Sequence, residues 1–298
     1  MDGVLLVDKP AGPTSHDVVA RIRSVAHERS VGHTGTLDPR ATGLLPLVLG
    51  KATRLASVLT VGDKTYEASV RLGVSTSTDD GDGAVTAEFD GRLPDADRID
   101  EALAAFRGTF EQTPPAHSAK RVDGKKAYDL ARRDEPVLLK PVTVTVRSLV
   151  RHGYEAGNVR LELTVTSGFY VRALARDLGN ALGCGGHLDA LRRTRAGRFD
   201  VAQALPLSEA ERLGPDVEAH LLTPSDALAD LPSVTVTEVG LKRAVHGNSL
   251  GPEHLEMRYV PPSSLTAAGR VRVLGPDGRL IALANSRGGL LHPAVVLG

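Results

Sequence analysis

The segment from Val31 to Arg54, VGHTGTLDPRATGLLPLVLGKATR, gathers Gly32, His33, Thr34, Gly35, Thr36, Asp38, Pro39, Thr42 and Gly43 ahead of an apolar run. Loops so rich in turn residues lie at the surface, where function is carried. Asp38 is the one acid in this segment, and a lone carboxylate in a shaped loop suits a nucleophile or a general base. An aspartate before proline also opens turns for purely structural reasons, so the residues alone leave both readings open. Other chemistries find less support. The ten histidines and the single Cys184 are scattered, without CxxC or HExxH spacing, so no metal site is expected. There is no GxSxG elbow, Walker A loop or dinucleotide fingerprint, and no cofactor is expected. Gly183, Gly185 and Gly186 follow a helical pattern and read as a cap and turn.

The elements that must hold such a loop come from a chain of 298 residues, enough for about two domains. With 41% apolar and 24% charged residues the composition is globular and soluble. No run approaches the ~20 apolar residues of a membrane span. One cysteine and an N-terminus without a signal peptide's basic start point to the cytoplasm. Acidic and basic residues balance at 36 each, but they are segregated. Asp79–Glu101 holds nine acids against two arginines, which reads as a solvated face. Lys120–Arg133 holds six bases against two acids, and Arg172–Arg198 is a second basic run. Such polarity fits one face turned to a polyanion.

The periodicities are mixed. Strands are expected at Gly3–Val7, Lys64–Leu72, Val142–Val150 and Val159–Thr166, the last two joined by a turn at Glu155–Asn158. Helices are expected after a Thr14–Ser15 cap, over Asp97–Phe106, over Tyr170–Leu182 and, more briefly, over Leu188–Arg195. Beyond a junction at Leu228–Ser233, Val234–Val236, a helical Val239–Val245, Val271–Leu274 and Leu280–Ala284 suggest a small β-rich unit. No internal repeat is present.

GHTGTLDPRATGLLPLVLGKATR resembles the catalytic-aspartate motif of the TruB family of pseudouridine synthases. Four more pieces stand in the family's order: VDKPAGPTSHDVV at 7–19, DKTYEASVRLG at 63–73, SGFYVRALARDLG at 167–179 and LRRTRAGRF at 191–199. QTPPAHSAKRVDGKKAYDLAR at 112–132 is similar to the family's RNA-clamping segment. The resemblance covers most of residues 3–200.

It implies an α+β fold: a large mixed, mostly antiparallel sheet with a central active-site cleft over 1–230, and a small β-rich PUA-like domain over 233–298. It implies isomerisation of uridine to pseudouridine at position 55 in the tRNA T loop, with Asp38 as the essential carboxylate, whether nucleophile or base. Arg172 would pair with Asp38 and hold it ionised, since an opposite charge lowers a carboxylate pKa. Tyr66 would stack on the flipped base, Tyr170 and Leu191 would line the uracil pocket, His33 would brace the flipped-base site, and Lys9 would shape the loop beneath. Base flipping costs a few kcal/mol, and stacking on an aromatic returns about 1–3 kcal/mol per base. The RNA face would include Lys120, Arg121, Lys125, Lys126, Arg192 and Arg193. At the clamp the family more often has an apolar residue and then a lysine after Ser-Ala; here Lys120 and Arg121 follow Ser118 and Ala119, and Arg121 keeps the charge as a planar fork in place of a point charge. The tRNA T arm would be the partner, and the chain would work as a monomer without a membrane or protein partner. A guide-RNA-dependent enzyme of the dyskerin type and a tRNA-folding chaperone are the alternatives.

Overall fold

A computed structural model describes residues 1–116, 139–256 and 269–298, with backbone pairing also given at 121–122 and 125–126. The first part runs through β1 (Gly3–Lys9), β2 (Val31–His33), β3 (Thr42–Leu49), β4 (Lys64–Leu72), β5 (Val74–Thr76), β6 (Val85–Glu88) and β7 (Gly108–Gln112). A two-residue ladder pairs β8 (Arg121–Val122) with β9 (Lys125–Lys126). Then come β10 (Val142–Glu155), β11 (Asn158–Val165), β12 (Gly186–Ala196), β13 (Phe199–Asp200) and β14 (Leu205–Pro206). Ten of these strands form one sheet, ordered β14-β1-β3-β12-β4-β11-β10-β7, with β2 on β3 and β13 on β12. The sheet is mixed and mostly antiparallel; β12 runs parallel to β3, and β14 to β1.

β4 and β11 alternate buried and open residues as a half-covered sheet requires, while the central β1 and β3 are buried almost throughout. In β4, Tyr66, Ala68, Val70 and Leu72 are buried, while Glu67 is exposed. Two helices share the apolar core with these residues. Ser15–Val25 begins at a capping box between Thr14 and Asp17 and buries Val18, Val19 and Ile22. Val171–Ala181 buries Leu174, Ala175 and Leu178.

Leu188–Arg195 is not a helix but part of β12, the strand between β3 and β4. Its register against β4 shifts between Leu188 and Ala190 and again between Arg193 and Arg195. The two irregularities break the period-two alternation, and strand pairing on both sides overrides the local pattern.

β15 (Ser233–Thr235), β16 (Arg270–Leu274), β17 (Leu280–Arg287) and β18 (Leu290–Val296) form a second sheet beside the helix Glu238–Val245, with its own core around Val236, Val271 and Val273. A further apolar cluster joins it to the first unit: Leu55 and Leu228 pack with Leu280, Leu283 and Leu297. The fold is therefore α+β, a large mixed sheet with a small C-terminal β-rich one.

Candidate active site

Asp38 sits in the loop between β2 and β3, where β3 and β12 meet at only two register pairs, Thr42–Arg192 and Gly43–Arg193. Buried polar groups hold that loop. Ser15 Oγ accepts from the Leu37 N–H at 2.8 Å and donates to the Leu37 carbonyl at 3.0 Å. Lys9 Nζ donates to the carbonyls of Pro10 (2.9 Å), Pro13 (2.8 Å) and Pro39 (3.0 Å). Arg193 donates to the carbonyls of Leu44, Gly35 and Thr36. The Ala41 N–H bonds the Asp38 carbonyl at 3.1 Å, closing the expected aspartate–proline turn. Gly43 is required here: its φ is +99°, and a Cβ would lie 2.3 Å from the Arg193 carbonyl oxygen.

Arg172, the second residue of the Val171–Ala181 helix, brings its Nε to 3.0 Å from Asp38 Oδ2. Its Nη1 reaches Asp80 Oδ2 at 3.4 Å and the Thr78 carbonyl at 3.2 Å. Asp79, at φ +62°, pairs with Arg176 at 3.0 Å. Sequence reasoning missed Asp79 and Asp80, because they open a nine-acid run that reads as a solvated face. The turn between β5 and β6 instead carries them inward, and the Gly81 N–H bonds the Leu188 carbonyl on β12. The signal was local composition: STSTDDGDG is as dense in turn residues as the Asp38 loop.

The pairing with Arg172 does not leave the Asp38 carboxyl below its ordinary range. Asp38 keeps 44% of its side-chain surface open toward solvent, yet the protein packed around it desolvates the carboxyl, and that raises its pKa. Arg172 and Lys9 pull it down and Asp80 and Asp82 push it up, so the net direction is upward, opposite to the sequence expectation. A carboxylate so raised is a stronger proton acceptor than a free one, while the guanidinium fixes its orientation.

His33 lies edge-on to His16, ring centroids 5.3 Å apart, and its Nδ1 accepts from the Gly35 N–H at 3.3 Å. Burial, then His16 and Arg193, push its pKa down, which favours the neutral ring. Tyr66 is buried in the main core, registered with Leu163 on one side and Arg193 on the other. Tyr170 caps the Arg172 helix; its N–H donates to Gln112 Oε1 (2.9 Å) and its carbonyl accepts from Gln112 Nε2 (3.1 Å). Leu191 and Arg192 line a cavity of about 680 Å³ with Arg40, Glu67 and Arg160, and neither Asp38 nor Arg172 is among its walls. Arg192 also makes a two-pronged pair with Asp8 at 2.7 and 3.1 Å.

Burial bears on two of the expected site residues. Lys9 has no exposed surface and braces the loop through three carbonyls, in line with a loop-shaping rather than a substrate-contacting place, and its pKa falls to about 8. Arg193 is 1% exposed and faces carbonyls of its own chain, so it cannot neutralise an RNA phosphate. Lys120 lies outside the described residues, as do the side chains of Arg121, Lys125 and Lys126. Among the described residues no cluster of three or more His, Cys, Asp or Glu could hold a metal ion, and no helix is long and apolar enough to cross a membrane.

Residues 23–171 match the model of the TruB family pseudouridylate synthase N-terminal domain, and 172–227 that of the tRNA pseudouridylate synthase B C-terminal domain. The chain belongs to the TruB family. It is 44% identical to tRNA pseudouridine synthase B of Thermobifida fusca (strain YX) over 99% of this chain and 98% of that one. It is 41% identical to the same enzyme of Solibacter usitatus (strain Ellin6076) over the full length of both. Among solved structures it is similar to a chain of a Cbf5–Nop10–Gar1 complex, with a TM-score of 0.76 and 26% identity over 99% of this chain and 85% of that one. A chain of an H/ACA ribonucleoprotein bound to a substrate RNA gives 0.74 and 25%, again over 99% and 85%. In this TruB-family chain the matched models meet at Val171–Arg172, the start of the helix that delivers Arg172 to Asp38.

Proposed function

We propose that this chain isomerises uridine 55 in the T loop of tRNA to pseudouridine, as a stand-alone cytoplasmic enzyme with Asp38 as its essential carboxylate. The carrying observation is the Asp38–Arg172 pair at 3.0 Å in a loop clamped by Lys9, Ser15 and Arg193. Relatives at 44% and 41% identity over nearly the whole chain are named tRNA pseudouridine synthase B, which favours this substrate over a guide-directed one.

The chemistry needs no redox partner. The bond from ribose C1′ to uracil N1 breaks, a bond from C1′ to C5 forms, the C5 proton leaves and N1 gains one. Asp38 acts at the sugar as nucleophile or base, and Arg172 holds it in place. Tyr66, Tyr170, Leu191 and His33 receive the flipped base, and the basic clamp at 112–133 with Arg192 grips the phosphates. The sheet from Ser233 onward serves as a PUA-like domain on the RNA side, held by the Leu55–Leu283 cluster. The test is pseudouridine mapping on T-arm RNA incubated with the purified chain alone. A product at position 55 without guide RNA supports the reading, and a strict need for guide RNA or protein partners favours the dyskerin type.

A further inference from the structure

Arg193 is a buried cation whose hydrogen bonds tie the Asp38 loop to the start of β3. The side chain is 1% exposed, and a guanidinium keeps its charge at any working pH. Among the described residues no carboxylate lies within ion-pair distance of it. Its Nε donates to the Leu44 carbonyl at 2.8 Å, its Nη2 to Gly35 at 3.0 Å and its Nη1 to Thr36 at 3.4 Å. Two of these acceptors precede Asp38 and the third follows it.

Taking a charge out of water without a counter-ion is costly, and an apolar residue would fill a core position at lower cost. What an apolar residue lacks is a rigid fork of donors. The fork spans the neck of the loop, because β3 and β12 touch only at Thr42–Arg192 and Gly43–Arg193 before they diverge. Beyond Thr42 no strand pairing among the described residues fixes the direction in which Asp38 leaves the sheet.

We propose that Arg193 is a positioning residue: by tying Gly35 and Thr36 to Leu44 it sets the distance and angle between Asp38 and Arg172. The inference rests on Asp38 being the essential carboxylate. Lysine in its place keeps charge and most of the stem but is a point donor, unable to bridge three carbonyls at once.

The experiment compares Arg193→Lys and Arg193→Met with wild type, with Asp38→Asn, and with the core variant Val70→Ala as a control for lost stability. Single-turnover rates are read at saturating T-arm RNA, at temperatures where each variant is folded. Both Arg193 variants should lose at least tenfold in rate, with lysine the milder, while Val70→Ala keeps its rate. RNA affinity and the slope of affinity against salt should stay at wild-type values, since Arg193 meets no phosphate. The acid limb of the pH–rate profile should shift in Arg193→Lys, since the packing that raises the Asp38 pKa is loosened. A folded Arg193→Lys with wild-type rate and profile overturns the proposal, and so does a flatter salt slope. If Asp38→Asn itself keeps turnover, the reading of the site fails instead. A further measurement needs no substitution. In the wild-type protein the Arg193 side-chain N–H signals should exchange slowly with water, with and without T-arm RNA; exchange as fast as that of exposed arginines overturns the burial on which the proposal stands.

Discussion

Arg172 stands between two aspartates, its Nε 3.0 Å from Asp38 and its Nη1 3.4 Å from Asp80, so one guanidinium ties the β2–β3 loop to the β5–β6 turn. Asp38 alone would leave Arg172 free to swing, whereas Asp80 and the Thr78 carbonyl fix its far side. The carboxylate proposed to do the chemistry is thus oriented by a cation that is itself oriented.

Replacing Asp80 by Asn should therefore slow the reaction without loosening RNA. A charge-assisted contact contributes about 1.5–3 kcal/mol, which corresponds to roughly ten- to a hundredfold in single-turnover rate. The same substitution at Asp90, exposed and outside the site, should leave the rate unchanged. Equal rates for the two variants would remove Asp80 from the site.

The acidic run divides further along. Asp95 caps the Ala96–Ala104 helix by accepting from the Arg98 N–H at 3.0 Å. Asp95→Ala should lower stability by about 0.5–2 kcal/mol, the usual cost of a lost cap, with the rate at saturating RNA unchanged. Thermal melting and a single-turnover assay on the same preparation separate it from Asp80→Asn, whose rate falls.

Two desolvated groups, half-open Asp38 and buried Lys9, set the pH dependence. Asp38 must be ionised to act, and its pKa is raised, so the rate should climb with pH above the ordinary value of 3.8. On the alkaline side Lys9 loses its proton at about 8, weakening its hold on Pro39 and removing a cation near Asp38, so the rate should fall there. Stability runs the other way. The folded-state pKa of Lys9 lies below its unfolded value of 10.5, so between about 8 and 10.5 the unfolded chain binds the extra proton, and the Lys9 contribution to stability rises with pH. A rate that declines above pH 8 while melting shows no matching loss supports the assignment. A rate flat through pH 9 contradicts it.

The RNA face is tested by salt. Neutralising Lys125 and Lys126 together should flatten the log–log slope of affinity against salt by roughly one or two units, at about 0.7–0.9 per phosphate contact. The single-turnover rate at saturating RNA should change far less. An unaltered slope would move the RNA to another face.

Much of this site was legible in the sequence, because its parts are local. The Lys64–Leu72 strand, the Thr14 cap and the Asp38 turn each follow from neighbouring residues, and the structure holds them as read. Arg172 beside Asp38 came from the family motif. What could not be read was burial set by distant strands. Arg193 carries charge and looks like a surface group until β3, β12 and β4 enclose it. Asp79 and Asp80 belong by composition to a solvated run, and only the turn that joins Gly81 to Leu188 shows them facing inward. The upward direction at Asp38 is of the same kind, because desolvation depends on everything packed around the loop and outweighs the one cation that a motif can show.

The most direct test of the whole account is a single-turnover assay of pseudouridine at position 55 in T-arm RNA, with wild type and Asp38→Asn, each confirmed folded by melting and RNA-competent by binding. A carboxamide can neither attack the sugar nor take a proton from it. The account predicts product with the wild-type chain alone and, for Asp38→Asn, a rate below about a hundredth of wild type at near-equal affinity, a loss of more than about 2.7 kcal/mol of transition-state stabilisation. Asp38→Asn turnover above that hundredth, in a folded and RNA-bound variant, would contradict it.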